Sequence, residues 1–134
     1  MSCFKLKIVT PDGLIYDGEA EKLFVRTSLG DVGILARHMD YVAPLGMGRA
    51  VVESGGKRRT AACIGGMLSV AHGEVTLVPT TFEWAEDIDV DRALRSYERA
   101  DKVLHNADAS KTDLALAEAR LHRALVRKSV ASMK

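Results

Sequence analysis

Hydrophobic and polar residues alternate along the N-terminal part of the chain, in short stretches that glycine-containing turns separate. Alternation with a period of two turns one face of a strand toward a core and the other toward solvent. The pattern predicts strands at residues 4–9, 14–19, 21–27, 32–35, 49–53, 58–64, 67–71 and 74–78. Many short strands with close, regular turns are typical of an antiparallel β-sandwich or flattened barrel.

After residue 86 the hydrophobic period lengthens to that of an α-helix, and no glycine or proline follows. Asp89 is a favourable N-cap for a first helix. Residues 105–109 interrupt the pattern, and Ser110 with Asp113 then resembles the capping box of a second helix. Because the connection is short, we expect an antiparallel hairpin. The sequence therefore predicts an α+β fold, with a β-sandwich domain at residues 1–86 and a helical hairpin domain at residues 87–134.

Composition narrows the classes of function. The 134 residues carry a net charge of +1, which gives no general attraction to nucleic acid or to anionic lipid. No run of 18 apolar residues predicts a membrane span, and the N-terminus lacks the apolar core of a signal peptide. Cys3 and Cys63 have no metal-ligand spacing and are expected to be thiols in a reducing compartment. We expect a cytosolic protein, or one that reaches a membrane only through partners.

Each predicted helix carries three arginines at i, i+3 and i+7. They are Arg92, Arg95 and Arg99 on the first helix, and Arg120, Arg123 and Arg127 on the second. At about 100° per residue each trio forms a stripe about 60° wide beside the apolar face. Three interpretations are open: a solvated face that covers the apolar stripe, a site for a phosphorylated small molecule, or a surface for an acidic partner.

Glu83 and Asp89 favour the small molecule. A carboxylate near an arginine cluster accepts hydrogen bonds from an adenine amino group or a ribose hydroxyl. Both residues also fit simpler roles, Asp89 as an N-cap and Glu83 as a surface charge.

Catalytic chemistry is not indicated. The four histidines show no metal-ligand spacing. The Gly65–Gly66 pair fits a tight turn better than a phosphate-binding loop, because no helix start follows it. We expect a protein without an independent enzymatic activity, a catalytic residue or a metal site.

An ordered set of segments resembles the epsilon subunit of bacterial F-type ATP synthase. The segments are residues 8–13 with Tyr16, 30–38, 42–45, 65–70 and 86–89. The resemblance implies a non-catalytic central-stalk subunit of the proton-translocating enzyme, peripheral on the cytoplasmic face of the bacterial membrane. It implies a sandwich that binds the gamma subunit and the c-ring, with Asp31 and His38 near that contact. It also implies a hairpin that alternates between a compact state and an extended state. In the extended state the hairpin would meet the beta and alpha subunits and inhibit ATP hydrolysis.

Residues 88–93 are similar to the Ile/Leu-Asp-x-x-Arg-Ala motif of the ATP-binding subgroup from Bacillus-like bacteria. That likeness implies ATP as a regulatory ligand, alone or with Mg²⁺, and no catalytic cofactor. Glu83, Ile88, Asp89 and Ala93 match positions on the adenine and ribose side. Arg92, Arg99, Arg123 and Arg127 match positions nearer the ribose and phosphates.

Two residues depart from the pattern of the ATP-binding subgroup, and two other functions stay open. Phe82 and Trp84 flank Glu83 where smaller or polar residues are expected. A structural rotor subunit that does not bind ATP would need the sandwich and hairpin alone. A freestanding ATP sensor would need the pocket but no subunit partners.

Overall fold

Ten strands and two long helices make up the computed structural model of the protein, which describes residues 2–133. Met1 and Lys134, the outer ends of the two predicted domains, lie outside the described residues. The strands are β1 Phe4–Thr10, β2 Gly13–Ala20, β3 Lys22–Thr27, β4 Gly30–Leu35, β5 Tyr41–Pro44, β6 Met47–Ser54, β7 Lys57–Ile64, β8 Met67–Ala71, β9 Glu74–Val78 and β10 Thr81–Trp84. After a 3-10 turn at Ala85–Asp87 come helices α1 Val90–Leu104 and α2 Lys111–Ala131.

The strands form two five-stranded sheets. The order is β2-β1-β9-β8-β5 in the first sheet and β10-β7-β6-β3-β4 in the second. Neighbouring strands run antiparallel, apart from the parallel pair β1 and β9. Alternate residues of both sheets face one another and bury an aliphatic core that includes Leu6, Ile8, Leu23, Leu68 and Leu77. The predicted α+β class, a β-sandwich followed by a helical hairpin, is confirmed.

Two strands of the structure were absent from the prediction. β5 and β10 each have four residues, too few for alternation to stand out. β5 also ends in Pro44, which counts against a strand in a sequence pattern. β10 lies at the edge of the second sheet beside β7, and it leads directly into the helical part of the chain.

The hairpin lies against the outer face of the second sheet. The end of α2 packs on β6, on β7 and on the 3-10 turn, while α1 packs mainly on α2. The buried contact is small: Ala62, Ala85, Ile88, Val130 and Ala131, with Val126 partly buried beside them. It explains why β7 is buried on both faces near its end, since one face meets the core and the other meets α2. Few and small side chains hold the two parts together, so the docked hairpin has modest apolar support.

The helix ends follow the sequence closely. The Asp89 carboxylate accepts a hydrogen bond from the backbone N–H of Arg92 at 3.0 Å, which caps α1. Ser110 and Asp113 form the predicted capping box of α2. Ala93 and Ala100 of α1 and Ala117 and Ala124 of α2 are all buried, and we call these four residues the alanine seam. None of the helices in residues 2–133 has the length and apolar character that crossing a membrane requires.

Candidate functional site

A cavity of about 540 Å³ opens where the sandwich, the linker and the hairpin meet. We call it the acidic cavity. Its walls come from the β1–β2 turn, from β10, from the residues before α1 and from both helices. They are Thr10, Asp12, Ile15, Thr81, Phe82, Glu83, Asp87, Asp89, Arg92, Ala93, Ser96 and Arg127. Five residues that the sequence proposed for ATP therefore line one cavity: Glu83, Asp89, Arg92, Ala93 and Arg127.

An ion pair crosses this cavity from one half of the chain to the other. The Arg127 Nε donates to Glu83 Oε1 at 2.6 Å, linking α2 to β10. The side chains are 27% and 38% exposed, so water screens the pair only in part. Glu83 thus holds one arginine of the α2 stripe, Arg127, against the sandwich.

The other predicted residues of this region have mixed positions. Asp89 lines the acidic cavity, although its carboxylate also performs the simpler N-cap role. Ala93 is buried at the foot of α1 and leaves room at the wall because its side chain is a single methyl group. Ile88 does not line the cavity; its side chain packs in the apolar contact under α2.

Arg123 and Arg99 lie in two adjoining cavities. Arg123 lines the arginine cavity, of about 270 Å³, together with Arg120 and Arg127. Arg99 lines the hairpin cavity, of about 780 Å³, together with Arg92 and Arg120. Arg95 lines none of the three cavities, so the arginine stripe of α1 divides between cleft and solvent.

The connected cleft is polarised in charge. Four carboxylates and two guanidinium groups line the acidic cavity, whereas three guanidinium groups and no carboxylate line the arginine cavity. The hairpin cavity is mixed, with three guanidinium groups and the carboxylates of Asp108 and Asp113. Within the described residues, no ion pair joins a carboxylate to Arg92, Arg99, Arg120 or Arg123. Like charges that converge without a counter-charge favour an anion between them. The cleft thus suits a ligand with hydrogen-bond donors at one end and anionic groups at the other.

Phe82 and Trp84 pack in the sandwich core, although Phe82 also lines the acidic cavity. Both side chains are 8% exposed, and their rings contact edge to face with centroids 4.9 Å apart. Because side chains alternate along a strand, the intervening Glu83 faces the opposite way. The Arg59 guanidinium covers the Trp84 ring at 3.7 Å and also pairs with Glu86 at 2.8 Å. The two aromatic rings therefore support β10 beneath the cavity, although Phe82 contributes to its wall.

Some residues of the cleft were not proposed from the sequence. Thr10 at the end of β1, Asp12 in the following turn and Ile15 in β2 are brought beside the helices only in the folded structure. Ser96 and Arg120 also line the cleft. Arg120 belonged to the recognised stripe, and Ser96 is one turn after Arg92, so helical spacing could have indicated both.

Asp31 and His38 lie away from this cleft, in and after β4. Arg26 Nε donates to Asp31 Oδ1 at 2.9 Å. This hydrogen bond lowers the pKa of the Asp31 carboxyl, outweighing the desolvation that opposes it. His38 Nδ1 lies 2.7 Å from the Met39 carbonyl oxygen, and the ring meets Tyr41 edge to face. Asp31 is exposed and lines a cavity of about 490 Å³ between the second sheet and the end of α2, whereas His38 is half-buried. Among residues 2–133, no three His, Cys, Asp or Glu side chains are placed to hold a metal ion.

Two family models match the chain in order. The model described as ATP synthase, Delta/Epsilon chain, beta-sandwich domain matches residues 3–85. The model described as ATP synthase, Delta/Epsilon chain, long alpha-helix domain matches residues 86–132. The ATP synthase epsilon chain of Ruminococcus albus is 42% identical over 135 residues, and the match covers 100% of both chains. That of Bacillus velezensis is 42% identical over 131 residues, with 98% of each chain covered.

Solved structures share the fold. A chain in the cryo-EM structure of the Euglena gracilis mitochondrial ATP synthase, OSCP/F1/c-ring in rotational state 1, superposes with a TM-score of 0.84. It is 23% identical, and the match covers 100% of this chain and 83% of that one. A chain in the cryo-EM structure of the Tetrahymena thermophila mitochondrial ATP synthase central stalk and c-ring superposes with a TM-score of 0.67 at 9% identity, and the match covers 95% of each chain. At these identities the likeness concerns the fold alone.

Proposed function

The chain belongs to the delta/epsilon family of ATP synthase subunits, and on that premise we propose that it is a non-catalytic central-stalk subunit whose hairpin responds to ATP. ATP, alone or as its Mg²⁺ complex, stabilises the compact hairpin on the sandwich. When ATP is scarce the hairpin extends and restrains ATP hydrolysis. The ligand is regulatory and is not turned over by this chain.

One observation carries the ATP-binding part of this proposal: the polarised cleft joins the sandwich, the linker and both helices. The acidic cavity, with Glu83 and Asp89, offers acceptors for an adenine amino group and ribose hydroxyls. Arg92 and Arg127 line the same cavity, and Arg123 and Arg99 line the adjoining ones. Guanidinium groups bind phosphate oxygens in pairs. A triphosphate that runs from the acidic cavity toward the arginines thereby ties α1 and α2 to β10.

The size of the effect suits a switch. A ligand that binds only the compact state stabilises it by about 2.7 kcal/mol when its concentration is 100 Kd. The buried apolar contact under α2 is small, so the compact and extended states need not differ by much more than this. Loss of ATP leaves the arginines without a counter-ion, and α2 is then available to an acidic partner surface.

The partners follow from the family. We propose that the sandwich contacts the gamma subunit and the c-ring, with Asp31 and His38 on that side, and that the extended hairpin meets the beta and alpha subunits. Both solved structures named above come from ATP synthases described with a c-ring. The subunit is accordingly peripheral on the cytoplasmic face of the bacterial membrane. Co-purification with gamma distinguishes this assignment from a freestanding ATP sensor, which would not bind gamma.

Calorimetric titration of the isolated chain with ATP tests the ligand. We expect saturable binding, weakened about tenfold by Arg92→Gln or Arg127→Gln, since each removes a hydrogen bond to a charged group. Asp89→Asn is the suitable change at the linker, because asparagine keeps the N-cap while removing the charge. Arg95→Gln, on the same helix but outside the cleft, is the matched control. Absence of binding at millimolar ATP would refute the proposal.

Removal of the hairpin tests regulation separately. A stop codon after Glu86 deletes α1 and α2 but leaves both sheets and their core. We expect the truncated subunit to assemble and ATP hydrolysis by the complex to rise when ATP is low. Failure to assemble would mean that the hairpin is structural and not regulatory.

A structural subunit that does not bind ATP is the second candidate, and one observation favours it. The Glu83–Arg127 pair already holds α2 on the sandwich with protein groups alone. Under this alternative the calorimetric titration gives no heat of binding, while co-purification with gamma persists.

A further inference from the structure

The three cavities of the cleft meet at a few side chains. Ser96 lines the acidic, arginine and hairpin cavities alike. The arginine cavity, with Arg123, and the hairpin cavity, with Arg99, have only Ser96 and Arg120 in common. The most direct path for a single ligand that contacts both Arg123 and Arg99 runs between Ser96 and Arg120.

A buried hydroxyl at the same junction lacks a protein partner. Thr81 lines both the acidic and the arginine cavity. Within the described part of the chain, its Oγ1 is buried and makes no hydrogen bond. A buried hydroxyl without a partner is unfavourable, so a water or a ligand oxygen is needed to complete its hydrogen bonding. A phosphate oxygen in the cleft would accept a hydrogen bond from it when the ligand displaces the groups that cover this atom.

Arg120 has the character of an anion-binding residue. Its side chain is exposed at the rim of two cavities, and no carboxylate in residues 2–133 pairs with it. Ser96 lies on α1 between the arginine stripe and the alanine seam, where a small hydroxyl lets a ligand approach the helix. Together with Thr81, these groups offer one charged fork and two hydroxyl donors at the junction.

We propose that Arg120 and Ser96, with the hydroxyl of Thr81, bind the middle of the ligand's polyphosphate chain and so determine how strongly its outer phosphates are held. This inference rests on the proposed function, because it concerns the same cleft and the same ligand. It adds Ser96 and Thr81 to the residues that the sequence indicated, and it gives Arg120 of the arginine stripe a specific role. One phosphate group would then contact both helices, Ser96 on α1 and Arg120 on α2.

Calorimetric titrations of the full chain with ATP, AMP and inorganic tripolyphosphate test the proposal. The variants are Arg120→Gln, Arg120→Lys and Ser96→Ala, with Arg95→Gln as the control that removes the same charge outside the cleft. We expect Arg120→Gln to weaken ATP and tripolyphosphate about tenfold or more, which is the loss of one charged hydrogen bond. Arg120→Lys should fall between wild type and Arg120→Gln, because the charge remains without the fork. Ser96→Ala should weaken ATP by about threefold to tenfold.

The comparison of ligands separates local binding from a general effect of charge. AMP has no outer phosphates, so Arg120→Gln should lower its affinity much less than that of ATP. If Arg120→Gln lowered the affinity for AMP and ATP equally, or lowered the affinity for ATP no more than Arg95→Gln does, the inference would be overturned. ATP binding by the wild type would in that case still uphold the proposed function. Wild-type binding of tripolyphosphate that depends on Arg120, without binding of ATP, would uphold this junction and refute the proposed function. No binding of either probe by the wild type would refute both.

Discussion

The ion pair between Glu83 and Arg127 should control how firmly the unliganded hairpin is docked. The Nε to Oε1 distance is 2.6 Å, and the pair joins residues 44 positions apart in the chain. Exposed pairs contribute about 0.2–1 kcal/mol, and hydrogen bonds to charged groups about 1.5–3 kcal/mol. Because Glu83 is 38% exposed, we expect about 1 kcal/mol from this pair. Its loss should therefore raise the population of the undocked hairpin about fivefold.

Hydrogen exchange of the α2 amides measures this directly, under conditions where exchange reports the opening equilibrium. Arg127→Gln should speed exchange near the end of α2 about fivefold and leave the amides of the sandwich core unchanged. Arg95→Gln removes a similar charge from α1 without touching this pair and should have no such effect. The double variant Glu83→Gln with Arg127→Gln should exchange no faster than either single variant, since both remove the same contact. Single effects that simply add would refute the reasoning, because they would show that the two side chains do not act together.

Three further predictions concern the sandwich. Gly66→Ala should destabilise the protein by about 3 kcal/mol in thermal unfolding, because φ is +91° and a Cβ would overlap the Val78 carbonyl; Gly33→Ala, where nothing lies within 4 Å, is the control and should be nearly neutral. The pKa of the Asp31 carboxyl, followed by NMR, should lie below its ordinary 3.8. The ion pair with Arg26 should therefore be present above the lowered pKa and be lost as the pH falls through it; a pKa of 3.8 would contradict this. Burial raises the pKa of Cys63 to about 12, so a thiol reagent at pH 8 should modify it only on unfolding.

Local sequence patterns predict much of the fold. The change of hydrophobic period after residue 86 predicts the change from sheet to hairpin, and Asp89 and Ser110 begin the helices as expected. β10 was missed because four edge residues give too short a period. The parallel pairing of β1 with β9 was missed as well, since strands distant in sequence give no local signal of their partnership.

The site shows the same division. Helical spacing alone brings Arg92 and Arg99 to one side of α1, and it does the same for Arg120 and Arg127 on α2. It cannot show which residues of the sandwich face them. The contribution of Asp12 depends on tertiary packing that places the β1–β2 turn beside α1. The packing of Ile88 under α2, in place of a position on the cavity wall, depends on the same docking.

The most direct test of the central claim is hydrogen exchange of the isolated chain with and without ATP. If ATP binds only the compact hairpin, α1 and α2 should be protected together, and exchange through undocking should slow about 100-fold at 100 Kd. The amides of the sandwich core should hardly change, because their protection does not depend on docking. Identical exchange of both helices with and without saturating ATP would contradict the account.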